Sequence, residues 1–205
     1  MSICLITATK MEAEPFIEGL SMLEIEARPF RVYRGDDTCL IISGIGKVNA
    51  AIATVYACLK YDPAWILNLG AAGAVQDSEE LGRVYNIQKT VEPDRIHLQK
   101  NSPYIQYPDI LNGFDKATLA TQDQAIIDVN GFREIAAFAD LVDMEGASVV
   151  HASQRFDKKC LLFKFVTDTP EHAGQGKIIM ENIKNLRGPF SDFILNSVIP
   201  IIKNS

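Results

Sequence analysis

The chain has 205 residues, 47% of them hydrophobic and 22% charged, enough to enclose one substantial core and better suited to a single domain than to two. A formal charge of −6, with no block of consecutive Lys and Arg, supplies no field for a phosphate backbone and excludes nucleic acid as an expected partner. The opening Met1–Lys10 lacks the basic region and apolar stretch of a secretory signal, and no apolar run reaches membrane-spanning length, so the expected setting is cytoplasmic with no membrane partner.

In chain order, short apolar runs rich in β-branched residues occur at Ile3–Thr7, Phe30–Tyr33, Cys39–Ser43, Trp65–Leu69, Val84–Ile87, Ala117–Ala120, Leu141–Met144 and Leu161–Thr167. Most lack polar alternation, as strands buried on both faces do. Helical patterns lie between and after them. The clearest is Lys47–Tyr61, with an apolar stripe of Val48, Ala51, Ile52, Val55, Cys58 and Leu59. Gly146–Phe156 and Ser191–Lys203 also read as helices, with Gly188-Pro189 breaking the chain before the latter. Segment Lys89–Asn112, with Pro93, Pro103, Pro108, Tyr104 and Tyr107, is the least periodic and is expected to be a long loop or an interface. The alternation of strands and helices predicts an α/β fold: a three-layer α/β/α sandwich around a mixed, largely parallel central sheet. Cys4, Cys39, Cys58 and Cys160 are widely spaced without a Cys-x-x-Cys pair, and read as buried thiols in a reducing compartment.

In open α/β sheets ligands bind beyond the carboxyl ends of the strands, so the residues that follow each run carry the functional signal. Lys10-Met11-Glu12-Ala13-Glu14-Pro15 follows the first run, Ser43-Gly44-Ile45-Gly46-Lys47 the third and Gly70-Ala71-Ala72-Gly73 the fourth. Later runs end in Asp143-Met144-Glu145-Gly146 and Thr167-Asp168-Thr169-Pro170. Two glycine turns and the acids Glu14, Glu145 and Asp168 are thereby gathered at one predicted edge. Glycine turns that open helices aim N–H groups at an oxygen-rich ligand, while carboxylates in a partly desolvated cleft bind sugar hydroxyls, orient water or donate a proton. A sugar-containing substrate suits both. Taken singly, each feature also has a bland reading. Gly44-Ile45-Gly46-Lys47 is an ordinary strand-to-helix turn, Glu145 a helix N-terminal acid, Asp168 a capping residue, and Glu14 a solvated acid before a helix opened by Pro15.

At these same residues the sequence resembles the nucleoside phosphorylase and nucleosidase superfamily, above all the 5′-methylthioadenosine/S-adenosylhomocysteine nucleosidases. Met11-Glu12-Ala13-Glu14 is similar to that family's Met-Glu-x-Glu, Ser43–Ala51 to its glycine turn and helix, and Asn68–Gly73 to its Asn-x-Gly-Ser-Ala-Gly. Asp143-Met144-Glu145 is similar to its ribose motif and Thr167-Asp168 to its Ser-Asp. The resemblance implies a phosphorylase/hydrolase-like fold and a nucleosidase that cleaves the N-glycosidic bond of a purine nucleoside. It assigns catalysis to Glu14, which would orient and deprotonate water, and to Asp168, which would protonate or hydrogen-bond the departing purine. Glu145 would bind ribose hydroxyls with Met144 against the sugar, and Gly46, Ala71, Ala72, Gly73, Ala125, Ile126, Asp143, Lys164 and Thr167 would complete the substrate site. Ala71 stands where the family usually has Ser, Ala125 where an aromatic residue often stacks on the base, and Lys164 where Arg is common near the water. The 5′ group is therefore left open among methylthioadenosine, S-adenosylhomocysteine and other 5′-modified nucleosides.

The related phosphorylases carry a phosphate-binding Arg where this chain has Asn68, which favours hydrolysis over a phosphate-dependent phosphorylase. A non-catalytic nucleoside sensor is the third reading, against which stand Glu14, Glu145 and Asp168. The resemblance implies a homodimer and requires no cofactor or metal. His97, His151 and His172 are too scattered for a metal site, with His151 expected in helix packing and His172 in solvent.

Overall fold

The computed structural model describes residues 2–126 and 128–204. Its elements in chain order are β1 (Ile3–Thr7), α1 (Lys10–Gly19), β2 (Leu23–Glu26), β3 (Arg31–Arg34), β4 (Thr38–Ile42), α2 (Lys47–Tyr61), β5 (Trp65–Ala74), β6 (Val84–His97), β7 (Ser102–Gln106) and β8 (Lys116–Thr121). They continue with α3 (Val129–Ile135), β9 (Leu141–Asp143), α4 (Gly146–Arg155), β10 (Lys159–Asp168), α5 (Gly176–Phe193) and α6 (Ile199–Lys203).

β1 shows why the helices divide into two layers. Its side chains alternate, and both sets are apolar. Cys4 and Ile6 pack with Ala50, Ala53 and Ala57 of α2 and with Val149 and Val150 of α4. Ile3 and Leu5 pack with Ala13 and Phe16 of α1 and with Phe190, Ile194, Val198 and Ile202 near the C-terminus. The result is the expected mixed α/β fold, a central sheet covered by helices on both faces. Among the described residues no helix is long and apolar enough to cross a membrane.

The strands run in the order β10-β6-β8-β9-β5-β1-β4-β3-β2, with β7 beside β6. β10 also pairs with β5, so β5, β9, β8, β6 and β10 close into a circuit that continues into an open sheet through β1. β5 belongs to both parts. Along one edge it carries β10, from Trp65 to Gly73. Along the other, β1 pairs with Trp65–Asn68 and β9 with Gly73 and Ala74, so neither covers residues 69–72.

Three expectations are corrected. Lys89–Asn112 is largely a hairpin of β6 and β7, whose register breaks between Glu92 and Ile96 and thereby hides the strand pattern. Pro103 is tolerated because β7 pairs on one side only. Gly188-Pro189 does not break the chain: α5 runs through it and continues by a π-helical turn, Ile194–Val198, into α6. An internal proline costs about 3 kcal/mol. Burying Phe190, Ile194, Val198 and Ile202 contributes roughly 1.5–3 kcal/mol each, and packing prevails. Finally, the apolar stripe read along α2 reaches the buried face only at Cys58. Ala50, Ala53, Thr54, Ala57 and Cys58 face the core, while Val48, Ile52 and Leu59 are 66%, 54% and 72% exposed.

Candidate active site

A cavity of about 280 Å³ opens at the uncovered edge of β5, close to the lower end of the roughly 300–1,000 Å³ typical of small-molecule sites. Its wall is largely apolar, with Ile45, Phe132, Val142, Ile179, Met180 and Ile183 among the contributors. Four carboxylates, Glu12, Asp143, Glu145 and Asp168, reach it from three segments of the chain, Asp143 and Glu145 from the same one.

Glu12 comes from the first turn of α1. Thr9 is the N-cap of that helix, and the pair form a capping box in which each holds the other's backbone N–H. Glu12 Oε2 accepts from Thr9 N at 3.0 Å and from Thr9 Oγ1 at 2.8 Å. Its Oε1 accepts from Ala71 N at 3.1 Å, an amide on the part of β5 that neither β1 nor β9 covers. Gly70 keeps the space open, because a Cβ there would lie 2.8 Å from Glu12 Oε1.

Glu14, the acid singled out from the sequence, lies outside the cavity. Its side chain is 41% exposed and pairs with Arg187 Nη1 at 2.8 Å and Lys10 Nζ at 3.8 Å. Two residues further along a helix is a rotation of about 200°, so Glu12 and Glu14 face opposite ways. Nor does Pro15 open the helix, which begins at Lys10. Lacking an N–H, Pro15 leaves the Met11 carbonyl without its helical donor, and Arg187 Nη1 fills that place at 2.6 Å.

Asp143 stands at the end of β9 with its oxygens occupied. Oδ1 accepts from Thr121 Oγ1 at 2.6 Å, while Oδ2 accepts from Gly146 N at 2.8 Å and pairs with Lys164 Nζ at 2.8 Å. Lys164 lies behind the cavity wall, its side chain 2% exposed. Burial pulls the ammonium pKa down, but Asp143, Glu145 and Glu12 outweigh this and hold it above its ordinary value. Glu145 Oε1 accepts from Gly46 N at 2.8 Å, and among the described residues no donor meets its Oε2. Burial, then the charges of Asp143 and Glu12, push the Glu145 carboxyl up to about 7 against the pull of Lys164 and the Gly46 amide.

Asp168 ends β10 opposite Gly73, where a Cβ would come within 2.8 Å of its Oδ2. Burial raises its pKa, opposed by the Thr167 hydroxyl, which donates at 2.7 Å, and by the charge of His172. Ala71, Ala72, Gly73, Ala125, Ile126, Met144 and Thr167 line the same cavity. Gly46 and Lys164 act from outside it, through Glu145 and Asp143.

Two amides of the glycine turn before α2 are already engaged by carboxylates. Gly46 N donates to Glu145, and Lys47 N donates to Asp123 at 3.0 Å. Lys47 Nζ is taken by Asp94 at 2.7 Å. His151 lies in α4 with Nδ1 2.9 Å from Gln106 Nε2, and His172 Nδ1 caps the Thr169 amide at 3.2 Å. The four cysteines are free and buried. Among the described residues no group of His, Cys, Asp and Glu is arranged to hold a metal ion.

Comparison with known proteins gives a consistent picture. A family model described as the phosphorylase superfamily matches residues 2–129. The 5′-methylthioadenosine/S-adenosylhomocysteine nucleosidase of Bacillus subtilis (strain 168) is 29% identical over 161 residues, covering 66% of this chain and 70% of that protein. The apo structure of Arabidopsis thaliana 5′-methylthioadenosine nucleosidase superposes with a TM-score of 0.88 at 19% identity, covering 100% of this chain and 96% of the other. Futalosine hydrolase of Helicobacter pylori strain 26695 gives 0.86 at 18%, covering 100% and 98%. At such identities the structural likeness speaks for the fold.

Proposed function

The chain belongs to the phosphorylase superfamily, and from that premise we propose that it is a nucleosidase hydrolysing the N-glycosidic bond of a 5′-modified purine nucleoside. The observation that carries the reading is the company kept by Asp168. A half-buried carboxyl that holds its proton more tightly than usual shares one cavity with Glu12, whose two oxygens are fixed by three donors. Hydrolysis needs both roles: an acid to neutralise the departing purine, and a base to take the proton of water. Asp168 fills the first and Glu12, rather than Glu14, the second. Glu145 offers Oε2 to the ribose hydroxyls, and Met144 packs on the sugar. Positive charge developing on an oxocarbenium-like sugar is stabilised by the surrounding carboxylates. The apolar wall of Ile45, Ile179, Met180 and Ile183 suits an apolar 5′ substituent such as the methylthio group named for the Bacillus and Arabidopsis relatives.

Electrostatics favours water over phosphate as the nucleophile. Lys164, the ammonium that reaches these carboxylates, is already paired with Asp143, and two amides at the start of α2 are taken by Glu145 and Asp123. A phosphate dianion brought into this acidic site would find that ammonium already committed, and burying a charge without a partner costs on the order of several kcal/mol.

We assign the functional unit as a homodimer in the cytoplasm. α2 is apolar on two sides, and its outer stripe of Val48, Ile52 and Leu59 is continuous with Ile45, which is 56% exposed and lines the cavity. Four buried thiols suit a reducing compartment. A panel of purine and pyrimidine nucleosides with varied 5′ groups, analysed for free base, tests the activity. Free purine should appear, fastest from nucleosides with apolar 5′ groups; release from pyrimidine nucleosides alone, or from none, would refute the reading.

A further inference from the structure

The carboxylate assigned to the base is gripped unequally at its two oxygens. Each carboxylate oxygen offers about two lone-pair sites. Both sites of Oε2 are taken by Thr9, through its amide at 3.0 Å and its hydroxyl at 2.8 Å. Oε1 has one protein donor, Ala71 N at 3.1 Å, and so keeps a site open. A capping-box glutamate ordinarily sits on a helix surface, yet Glu12 is 8% exposed, and both Glu12 and Thr9 line the cavity. Ala71 brings no hydroxyl of its own. Among the described residues, that of Thr9 is the only one bonded to Glu12.

We propose that Thr9 is a positioning residue for the hydrolysis, saturating Glu12 Oε2 so that Oε1 is the oxygen that takes the proton from the attacking water. The inference rests on the hydrolytic reading above. In the step it describes, the water oxygen forms the bond to C1′ while its proton passes to Oε1. The C1′–N bond breaks with its electron pair on the purine, which Asp168 protonates. The terminal torsion of a glutamate is broad and roughly two-fold. A carboxylate released by Thr9 would spend part of its time with neither oxygen aligned on the water, and misalignment of a reacting group is paid in turnover.

The test separates this role from helix capping. Thr9→Val removes the hydroxyl at constant shape and leaves the amide. We expect kcat to fall about tenfold or more with KM within about twofold, and Thr9→Ser to restore most of the rate. Thr9→Gly, which caps almost as well as the native residue, keeps the test available should Thr9→Val fold poorly, and should show the same loss of kcat. In a Glu12→Gln background, Thr9→Val should cost little more, because its effect runs through that carboxylate. A folded Thr9→Val protein with wild-type kcat, or an undiminished loss in the Glu12→Gln background, would overturn the assignment. If the wild-type enzyme releases no purine, the hydrolytic reading falls and this assignment falls with it.

Discussion

Glu12 and Glu14 lie two residues apart, and only one of them reaches the cavity. The resemblance to Met-Glu-x-Glu directs attention to the second acid. A second signal in the same stretch points to the first, since Thr9-Lys10-Met11-Glu12 fits the capping-box pattern that fixes a glutamate over the start of its helix. Kinetics of substitutions decide between the two acids. Glu12→Gln and Asp168→Asn should each lower kcat by about 10²-fold or more, whereas Glu14→Gln should stay within about threefold of wild type, having lost only a half-exposed ion pair. Glu145 gives a prediction in stability. Its folded pKa, about 7, lies above the ordinary carboxyl value, so between roughly pH 4.5 and 7 the folded state binds more protons than the unfolded one. Its contribution is therefore greatest at the acid end and is lost as the pH rises through 7. Chemical denaturation across this range should show a flatter dependence on pH for Glu145→Gln than for wild type; parallel curves would mean that Glu145 is not perturbed by its neighbours.

At the scale of elements, the buried strands are legible because an unbroken apolar run has few other uses, and the runs at Ile3–Thr7, Trp65–Leu69 and Leu161–Thr167 lie within β1, β5 and β10. Elements that depend on partners are less so. Pro15 reads as the opening of a helix and Pro189 as a break, yet each lies inside a helix, accommodated by something distant in sequence. For Pro15 it is the Arg187 side chain on the Met11 carbonyl. For Pro189 it is the packing of Phe190 and the residues that follow it. The prolines and the register break of β6 likewise conceal a hairpin as a loop. α2 misleads in a further way: apolar on two sides, it offers two stripes, and the one with the larger side chains faces solvent in the single chain. If that face meets a second copy, Ile52→Glu should give a folded monomer in sedimentation at micromolar concentration, where wild type sediments as a dimer. A monomeric wild type would remove the interface.

For the whole molecule, the site exists because β5 belongs both to the closed circuit and to the open part of the one sheet. β1 leaves its edge at Asn68 and β9 joins at Gly73, and the interval left uncovered is where the Ala71 amide meets Glu12. The ends of the strands, and with them Gly73, Glu145 and Asp168, were readable from the order of apolar runs. The closure of the circuit by β10 and β5 was not, because a strand's sequence does not name its partner. Nor were Ile179, Met180 and Ile183, which α5 brings to the cavity from positions well past the end of any strand run. The same architecture places the paired ammonium of Lys164 beside the carboxylates of the cavity, and the proposed choice of water over phosphate rests on that balance. The most direct measurement is the rate of purine release from a turned-over nucleoside as inorganic phosphate is raised from zero, with the sugar product identified. We expect full activity without phosphate, a rate that does not rise with it, and free sugar as the product. Release that requires phosphate and yields a sugar 1-phosphate would contradict a hydrolytic site.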